Sequence, residues 1–154
     1  MSFHTEPHIT FEQQNKTGIL LMNLGTPERP SPEALKPYLR RFLSDKRVVE
    51  LPSFLWKPIL FGAVIPLRVK NVAENYERVW LNEGSPLQVF TERQRDGLRQ
   101  RLPQDLYIEY AMTYSEPLVS QVLAKLKANG VGRVLVLPLY PQYAASSSAA
   151  AIDK

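Results

Sequence analysis

The feature that most constrains this sequence is an apolar run that ends in two prolines, RVLVLPLYP over residues 133–141. A near-continuous apolar run of this length is typical of a parallel strand that is buried on both faces of a sheet. Pro138 and Pro141 cannot donate to the ladder of a central strand, so the strand is predicted to end there. Because ligands bind at the carboxyl ends of strands in open α/β sheets, the residues that follow are candidates for a binding site.

Aromatic, amide and hydroxyl side chains follow this predicted strand. Tyr140, Gln142 and Tyr143 come first, and serines at positions 146–148 open a predicted helix. Such groups at a helix N-terminus could hold a flat ligand that carries carboxylates. The same residues also fit a strand, a turn and a serine-capped helix that binds nothing. The residues alone leave both interpretations open.

Length and composition are typical of one soluble globular domain. The chain has 154 residues, of which 44% are hydrophobic and 22% are charged, and this length is enough for a core. The net charge of +4 comes from Lys and Arg that are spread over several predicted helices. A solvated surface explains that charge, so a nucleic-acid partner is not expected.

Cysteine is absent, and histidine occurs only as His4 and His8. The absence of cysteine excludes disulfides and thiolate metal sites in this chain, and it fits a reducing compartment. Both histidines fall in residues 1–16, predicted to be a disordered N-terminal tail, so no metal site or His-based triad is expected in the folded part. The tail lacks the pattern of a secretory signal. The sequence therefore predicts a cytoplasmic location, and peripheral contact with the inner face of the membrane is left open.

The order of predicted elements indicates an open parallel α/β sheet of the Rossmann-like or flavodoxin-like kind. Strands are predicted at three apolar runs, residues 18–24, 106–112 and 133–139. A helix is predicted to begin with Ser31 as N-cap and Pro32 as its first residue, and to kink or start late at Pro37. Arg40 and Arg41 flank its apolar stripe and are interpreted as solvated. Further helices are predicted over residues 72–80, 87–102 and 116–129, the last forming a right-handed βαβ unit with its neighbouring strands.

The most apolar stretch, LPSFLWKPILFGAVIPL from Leu51 to Leu67, is interrupted by three prolines. It is shorter than the about 20 apolar residues of a membrane-spanning helix. A buried helical excursion and an exposed apolar lip at the mouth of a ligand site both fit it. Arg68 and Lys70 follow directly, which would suit a lip that meets an acidic amphiphile.

Four motifs, taken in this order, resemble the ferrochelatase family in its bacterial protohaem type. They are GILLMNLGTP at residues 18–27, FLSD at 42–45, EGSP at 83–86 and LYPQY at 139–143. The resemblance implies an enzyme that inserts Fe²⁺ into protoporphyrin IX to make protohaem, the last step of haem synthesis. The family fold has two Rossmann-like halves. Residues 17–154 resemble the N-terminal half alone, so the chain is expected to be truncated at its C-terminus.

The resemblance also implies roles for individual residues. The family's catalytic histidine and glutamate belong to the other half, so this chain is expected to hold no catalytic residue, no metal ligand and no cofactor, and Fe²⁺ is a substrate of the full-length enzyme. Porphyrin contact is implied for Asn23, Leu24, Arg68, Tyr143, Ser146 and Ser147. Leu24 matches a position that faces the macrocycle, and Arg68 matches a basic position near the propionates. Ala144 stands where many relatives have serine, so one hydroxyl contact is expected to be missing.

The stretch from Leu51 to Leu67 resembles the family's hydrophobic lip, which implies peripheral contact with a membrane. Two other functions remain open at this point. A sirohydrochlorin cobalt or nickel chelatase would need histidine near its metal, which the predicted folded part lacks. A non-enzymatic flavodoxin-like module that binds a flat ligand or a partner protein would fit the same fold.

Overall fold

The computed structural model describes residues 16–154, and its centre is a sheet of three parallel strands. The strands are β1 (Lys16–Asn23), β2 (Tyr107–Met112) and β3 (Val131–Pro138), in the order β2-β1-β3. The prediction of an open parallel α/β sheet is therefore confirmed. The predicted tail lies outside the described residues except for Lys16, which begins β1.

Six α-helices accompany the sheet in this part of the chain. They are α1 (Pro32–Leu43), α2 (Ser53–Ile59), α3 (Ile65–Val79), α4 (Pro86–Arg101), α5 (Val119–Ala128) and the short α6 (Ala150–Ile152). Two π-helical turns, Leu60–Val64 and Ala145–Ala149, precede α3 and α6. Because α5 connects two strands of one parallel sheet, the predicted βαβ connectivity is confirmed, and its right-handed crossover stays a prediction.

The two faces of the sheet bury separate cores. On one face, α5 packs on the strands through Leu20, Met22, Ala111, Val119, Val122 and Leu126. On the other, α4 packs on the strands through Ile19, Leu21, Leu98, Leu102, Ile108 and Tyr110. Successive side chains of a strand point to opposite faces, so α4 and α5 cover opposite sides of the sheet. We call these the α4 side and the α5 side.

Helices α1 and α3 build a third core beside the sheet, with Leu35, Leu60, Ile65, Val69 and Ala73 buried. The predicted start of α1 is confirmed, because Ser31 Oγ accepts a hydrogen bond from the Ala34 N–H at 3.3 Å and Pro32 follows the cap. Of the two outcomes expected at Pro37, the late start of the helix is wrong and the kink stays a prediction. A proline there removes only the bond to the Glu33 carbonyl, and the helix runs through it.

The apolar stretch from Leu51 to Leu67 is helical from Ser53 onward, and only one side of it is buried. Leu60 and Ile65 point into the third core. Six apolar side chains of the same stretch are exposed: Leu51, Phe54, Leu55, Ile59, Phe61 and Leu67. One side of the stretch is therefore core, and the other is an exposed apolar surface whose role as a lip at a ligand site stays a prediction. No helix within residues 16–154 has both the length and the apolar character that a bilayer crossing requires.

The prediction that β3 is buried on both faces is wrong. Leu135 is 53% exposed, and Val136 and Leu137 are 40% and 38% exposed. Both β2 and β3 are outer strands, but the helices that pack on the two faces of the sheet bury β2 and leave the second half of β3 uncovered, so only Val131 of β3 is buried. The apolar run therefore predicted the position of the strand correctly, but not how far its side chains are buried.

The serine-capped helix expected after β3 is also wrong in detail. The residue at the cap is Ala144, and no side chain caps the π-helical turn that follows. Ser147 Oγ instead donates to the Ala144 carbonyl at 3.3 Å. The serines therefore belong to the first turn and do not precede it.

Candidate functional site

The carboxyl ends of the strands meet at one edge of the sheet. β1 ends at Asn23 and β2 at Met112, and backbone hydrogen bonds join the loops that follow. The Thr113 N–H donates to the Asn23 carbonyl at 2.9 Å, and the Tyr114 N–H donates to the Leu24 carbonyl at 3.0 Å. In open α/β sheets this edge is where ligands bind.

A cleft of about 390 Å³ opens at this edge, between the loop after β1, helix α1 and the loop after β2. Its lining residues are Thr26, Pro27, Glu28, Ala34, Pro37, Tyr38, Arg41, Gln88, Tyr114, Ser115 and Glu116. They supply one guanidinium, two carboxylates and two phenols. A volume of this size takes a small ligand or one edge of a larger one.

The wall of the cleft depends on a glycine that no other residue can replace without strain. Gly25 has φ 107°, and a Cβ there would lie 2.7 Å from Ser115 Oγ. The Thr26 N–H donates to Ser115 Oγ at 3.0 Å, and Tyr38 Oη donates to the Gly25 carbonyl at 3.1 Å. Thr26 Oγ1 also donates to Ser85 Oγ at 2.7 Å. These bonds fix the loop after β1 against three other segments.

The two phenols of the cleft are held in their neutral form. Burial raises the pKa of Tyr38 and of Tyr114 well above the ordinary value of tyrosine. For Tyr114, the hydrogen bond that its Oη donates to Asp45 Oδ2 at 3.0 Å raises the pKa further. Both groups therefore act as hydrogen-bond donors at neutral pH.

Asp45 links the cleft to the last residues of the chain. Lys154 Nζ lies 2.8 Å from Asp45 Oδ2 and 5.1 Å from the centre of the Tyr114 ring. Arg47 Nε lies 2.7 Å from Asp153 Oδ2. Burial acts to raise the pKa of Asp45, but hydrogen bonds from Lys154, the Arg47 N–H and Tyr114 outweigh it and lower that pKa.

Two of the six residues with a predicted porphyrin contact lie at the end of β1. Asn23 is buried, its Nδ2 donates to Thr91 Oγ1 at 3.0 Å, and its Oδ1 accepts from the Leu24 N–H at 2.9 Å. Both polar groups of the Asn23 side chain therefore have hydrogen-bond partners within the protein. Leu24 is half-buried at the same edge. Porphyrin contact by either residue stays a prediction.

The other four predicted residues lie nearer the surface. Tyr143 is 76% exposed, Arg68 and Ser146 are exposed, and Ser147 is half-buried. Arg68 lies on α3, whereas the other three follow β3. Within residues 16–154, no ion pair engages Arg68. Their contact with porphyrin also stays a prediction.

Arg41 is exposed, as the sequence analysis interpreted it, but its place in the cleft was missed. It lines the cleft three residues after Tyr38, a spacing that puts two side chains on one face of a helix. That aromatic–basic pair, on the helix after the first strand, is the signal that could have found it. Its neighbour Arg40 instead lies over the Phe61 ring, 5.6 Å from the ring centre.

Metal-ligating side chains are dispersed in the described part of the chain. Within residues 16–154, no three His, Cys, Asp or Glu side chains come close enough together to hold a metal ion. His4 and His8 lie outside the described residues. The candidate site is a cleft whose lining holds two phenols, two carboxylates and one guanidinium.

Comparison with known proteins agrees with this architecture. The family model described as Ferrochelatase matches residues 16–154. Ferrochelatase of Neisseria meningitidis serogroup B (strain MC58) is 56% identical over 154 residues, which are 100% of this chain and 46% of the relative. Ferrochelatase of Neisseria gonorrhoeae is 54% identical over 100% of this chain and 46% of the relative. Ferrochelatase of Klebsiella pneumoniae is 51% identical over 92% of this chain and 44% of the relative.

The parallel sheet, the cleft at its carboxyl edge and these matches define an α/β domain of the chelatase class. The chain belongs to the ferrochelatase family. It spans about half the length of the curated relatives that it matches.

Proposed function

We propose that this chain is the porphyrin-binding N-terminal half of an enzyme that inserts Fe²⁺ into protoporphyrin IX. The product would be protohaem, and the reaction would be the last step of haem synthesis. The observation that carries the proposal is the family match from residue 16 to residue 154, which includes all three strand ends and the cleft. No comparable observation supports the two alternative functions, a sirohydrochlorin chelatase and a non-enzymatic binding module.

The chain's own contribution would be to bind and orient the macrocycle. Protoporphyrin is a flat apolar ring with two carboxylates at one edge, and the carboxyl edge of this sheet offers exposed Tyr143 and half-buried Leu24 to such a ring. Arg41 in the cleft and Arg68 on α3 are exposed guanidiniums that would pair with the carboxylates. Two exposed glutamates, Glu28 and Glu116, share the cleft with Arg41.

A rigid binding face would also favour the reaction itself. The nitrogen lone pairs of a flat porphyrin lie in the ring plane, so the metal reaches them only when the ring is bent. Binding of remote parts of the substrate supplies the energy for such a distortion. The hydrogen bonds of Gly25, Thr26 and Tyr38 hold this wall of the site in one geometry.

Metal insertion would need groups that lie outside this chain. The family resemblance puts the catalytic histidine and glutamate in the other half, and Fe²⁺ is the second substrate there. We therefore expect the 154-residue chain to bind porphyrin without metallating it.

The exposed apolar side of residues 51–67 would bring the enzyme to a membrane surface. Phe54 and Leu67 are among the most exposed apolar side chains described, at 77% and 78%. Lys57, Arg68 and Lys70 lie in or next to the same stretch and would face anionic headgroups. Protoporphyrin is itself an acidic amphiphile, so a lip at the membrane would suit its entry. The enzyme would then be a cytoplasmic protein in peripheral contact with the inner face of the membrane.

Titration of protoporphyrin IX into the chain tests the binding proposal. Soret absorbance and quenching of Trp56 and Trp80 fluorescence report the bound ligand. We expect saturable binding that Arg68→Ala and Tyr143→Ala each weaken about three- to tenfold, since tenfold corresponds to 1.4 kcal/mol. Arg78→Ala removes an exposed arginine further along the same helix and should leave affinity unchanged.

Assays of the full-length protein distinguish porphyrin binding from metal insertion. It should metallate protoporphyrin with Fe²⁺, whereas the 154-residue chain should only bind it. Absence of metallation by the full-length protein would refute the proposed reaction, and equal effects of Arg68→Ala and Arg78→Ala would refute the proposed contact.

A further inference from the structure

The cleft has two walls that belong to different parts of the fold. Helix α1 supplies Tyr38 and Arg41 to one wall. The loop after β2 supplies Tyr114 and Ser115 to the other wall. Helix α1 packs on α3 in the third core, beside the sheet, whereas the loop after β2 is bonded to the Leu24 carbonyl at the end of β1. The separation of the walls therefore depends on the contacts that join α1 to the strand ends.

Asp45 makes such a contact, two residues after the end of α1. Its Oδ2 accepts a hydrogen bond from Tyr114 Oη at 3.0 Å, and its Oδ1 accepts one from the Arg47 N–H at 2.8 Å. Lys154 Nζ donates to the same Oδ2 at 2.8 Å. The carboxylate thus joins its own loop to the loop after β2 and to the residues that follow α6.

The two walls also touch through aromatic rings. Phe42 of α1 lies against Tyr114, with the ring centres 5.2 Å apart, and it stacks on Tyr38 with the ring centres 6.1 Å apart. Apolar contact is non-directional, so such rings slide over one another at little cost. A hydrogen bond is restricted in length and angle. The bond between Asp45 and Tyr114 therefore limits the separation of the walls in a way that the ring contact does not.

Arg41 lies between two such bonds along the chain. Tyr38 Oη donates to the Gly25 carbonyl at 3.1 Å, three residues before Arg41. Asp45 binds Tyr114 four residues after it. Two attachment points define the direction of the last turns of α1, whereas one would leave the helix free to turn about it. The position of Arg41 relative to the strand ends is set by both bonds together.

The low exposure of Asp45 has a cost that stability alone does not explain. Its side chain is 13% exposed, which is the lowest value among the acids that form ion pairs within residues 16–154. A buried ion pair is often no more stabilising than well-packed apolar residues of similar volume. The ring of Phe42 already gives Tyr114 an apolar neighbour. The geometry that a carboxylate imposes is the better reason for an acid at this position.

We propose that Asp45 is a positioning residue, whose bond to Tyr114 holds the last turn of α1, and with it Arg41, at a fixed distance from the loop after β2. The proposal rests on the proposed function, in which Arg41 pairs with a carboxylate of the substrate. A guanidinium that is already held in place binds a carboxylate more tightly than one that must first be ordered, because less freedom is lost on binding. Asp45 itself touches no substrate.

Spin labels measure the separation of the walls without any porphyrin. Residues 1–154 contain no cysteine. Lys36→Cys on α1 and Ser120→Cys on α5 therefore give one pair of labels in the full-length protein, once any cysteine beyond residue 154 has been changed to serine. Both positions are exposed and lie outside the lining of the cleft. Double electron–electron resonance should give a narrow distribution of distances, which Tyr114→Phe should broaden or shift because it removes the bonding hydroxyl.

Tyr110→Phe is the matched control for loss of a tyrosine hydroxyl. Tyr110 and Tyr114 are both buried, at 7% and 2% exposure, and both donate their hydroxyl to a carboxylate. Tyr110 pairs with Glu92 of α4 and does not line the cleft. Both variants should lower Tm, but only Tyr114→Phe should change the distances. An unchanged distribution in Tyr114→Phe, or the same change in both variants, would overturn the proposal.

Two ligands show whether the fixed distance serves carboxylate recognition. Protoporphyrin IX and its dimethyl ester differ only in the two carboxylates. Tyr114→Phe and Asp45→Asn should each weaken binding of the diacid to the full-length protein about three- to tenfold, with the affinity for the ester unchanged. Because both changes break one bond, the double variant should bind the diacid no more weakly than the weaker single variant. Equal losses for the diacid and the ester would indicate a merely structural role and would overturn the proposal.

The two measurements separate this inference from the proposed function. A protein that binds neither the diacid nor the ester before substitution would refute the proposed function. The distances between the spin labels would still decide whether the bond of Asp45 holds the two walls.

Discussion

β1 and β3 are both apolar, parallel and eight residues long, yet their environments differ. β1 is the central strand, and its last six residues are buried. β3 is an outer strand, and four of the seven residues that follow Val131 in it are exposed. The contrast shows that an apolar run specifies a strand, whereas burial depends on what the rest of the protein places on either side of it.

The largest effect that separates the two strands should come from Leu21 and Leu137. These leucines are register partners on the same side of the sheet, with 1% and 38% of the residue exposed. In the 154-residue chain, Leu21→Ala should lower the free energy of unfolding by about 2–5 kcal/mol, because it removes buried methyl groups and leaves a cavity. Leu137→Ala should cost about 1 kcal/mol or less. Urea denaturation measures both, and equal losses would contradict the assignment of β3 as an exposed strand.

The loop after β1 should show the next largest effect on stability. Gly25→Ala forces a side chain into a left-handed conformation and against Ser115, so the free energy of unfolding should fall by about 1–3 kcal/mol. Gly62→Ala is the control in the open helical stretch, where added helix propensity should stabilise by up to about 1 kcal/mol. Thermal unfolding of the two variants gives opposite shifts of Tm if the loop is as rigid as its hydrogen bonds indicate.

Low pH should weaken the contact of Asp45 with Lys154 and Tyr114, which joins the cleft to the last residues of the chain. The pKa of Asp45 is lowered in the folded protein, so its ion pair and hydrogen bonds stabilise the fold above its ordinary pKa. That contribution is lost as the pH falls through the lowered value. Asp45→Asn should therefore weaken the dependence of stability on pH below pH 5, as unfolding at several pH values would show. An unchanged acid profile would mean that Lys154 and Tyr114 do not hold the carboxylate in solution.

The smallest effect on stability should come from the exposed apolar side of residues 51–67. Phe54→Ser should change the free energy of unfolding by less than about 0.5 kcal/mol, because the side chain is 77% exposed. The same change should reduce sedimentation with vesicles of anionic lipid. Leu123→Ser, on an exposed part of α5, is the control for loss of an apolar side chain. Equal sedimentation of both variants would argue against membrane contact at this surface.

Sequence patterns predicted the elements better than their surroundings. The strands, the capped start of α1 and the βαβ unit follow from apolar periodicity, proline and turn chemistry, which act within a few residues. The exposure of Leu135 and Leu137 could not be predicted in that way, because it depends on which strands lie at an edge of the sheet and which of them the helices cover. The Tyr38–Arg41 spacing could have suggested Arg41, but only the tertiary structure shows that this exposed arginine lines a cleft together with Tyr114.

The parallel pairing of β1 has a consequence for the order of folding during synthesis. Asn23 pairs with Met112, so β1 must wait for about 90 further residues, or several seconds at about 5–20 residues per second, before its first partner exists. Contacts this distant in sequence also form slowly once both strands are present. The strand that ends up deepest in the protein is therefore the one that a growing chain exposes longest, and it is the segment on which a chaperone would act first.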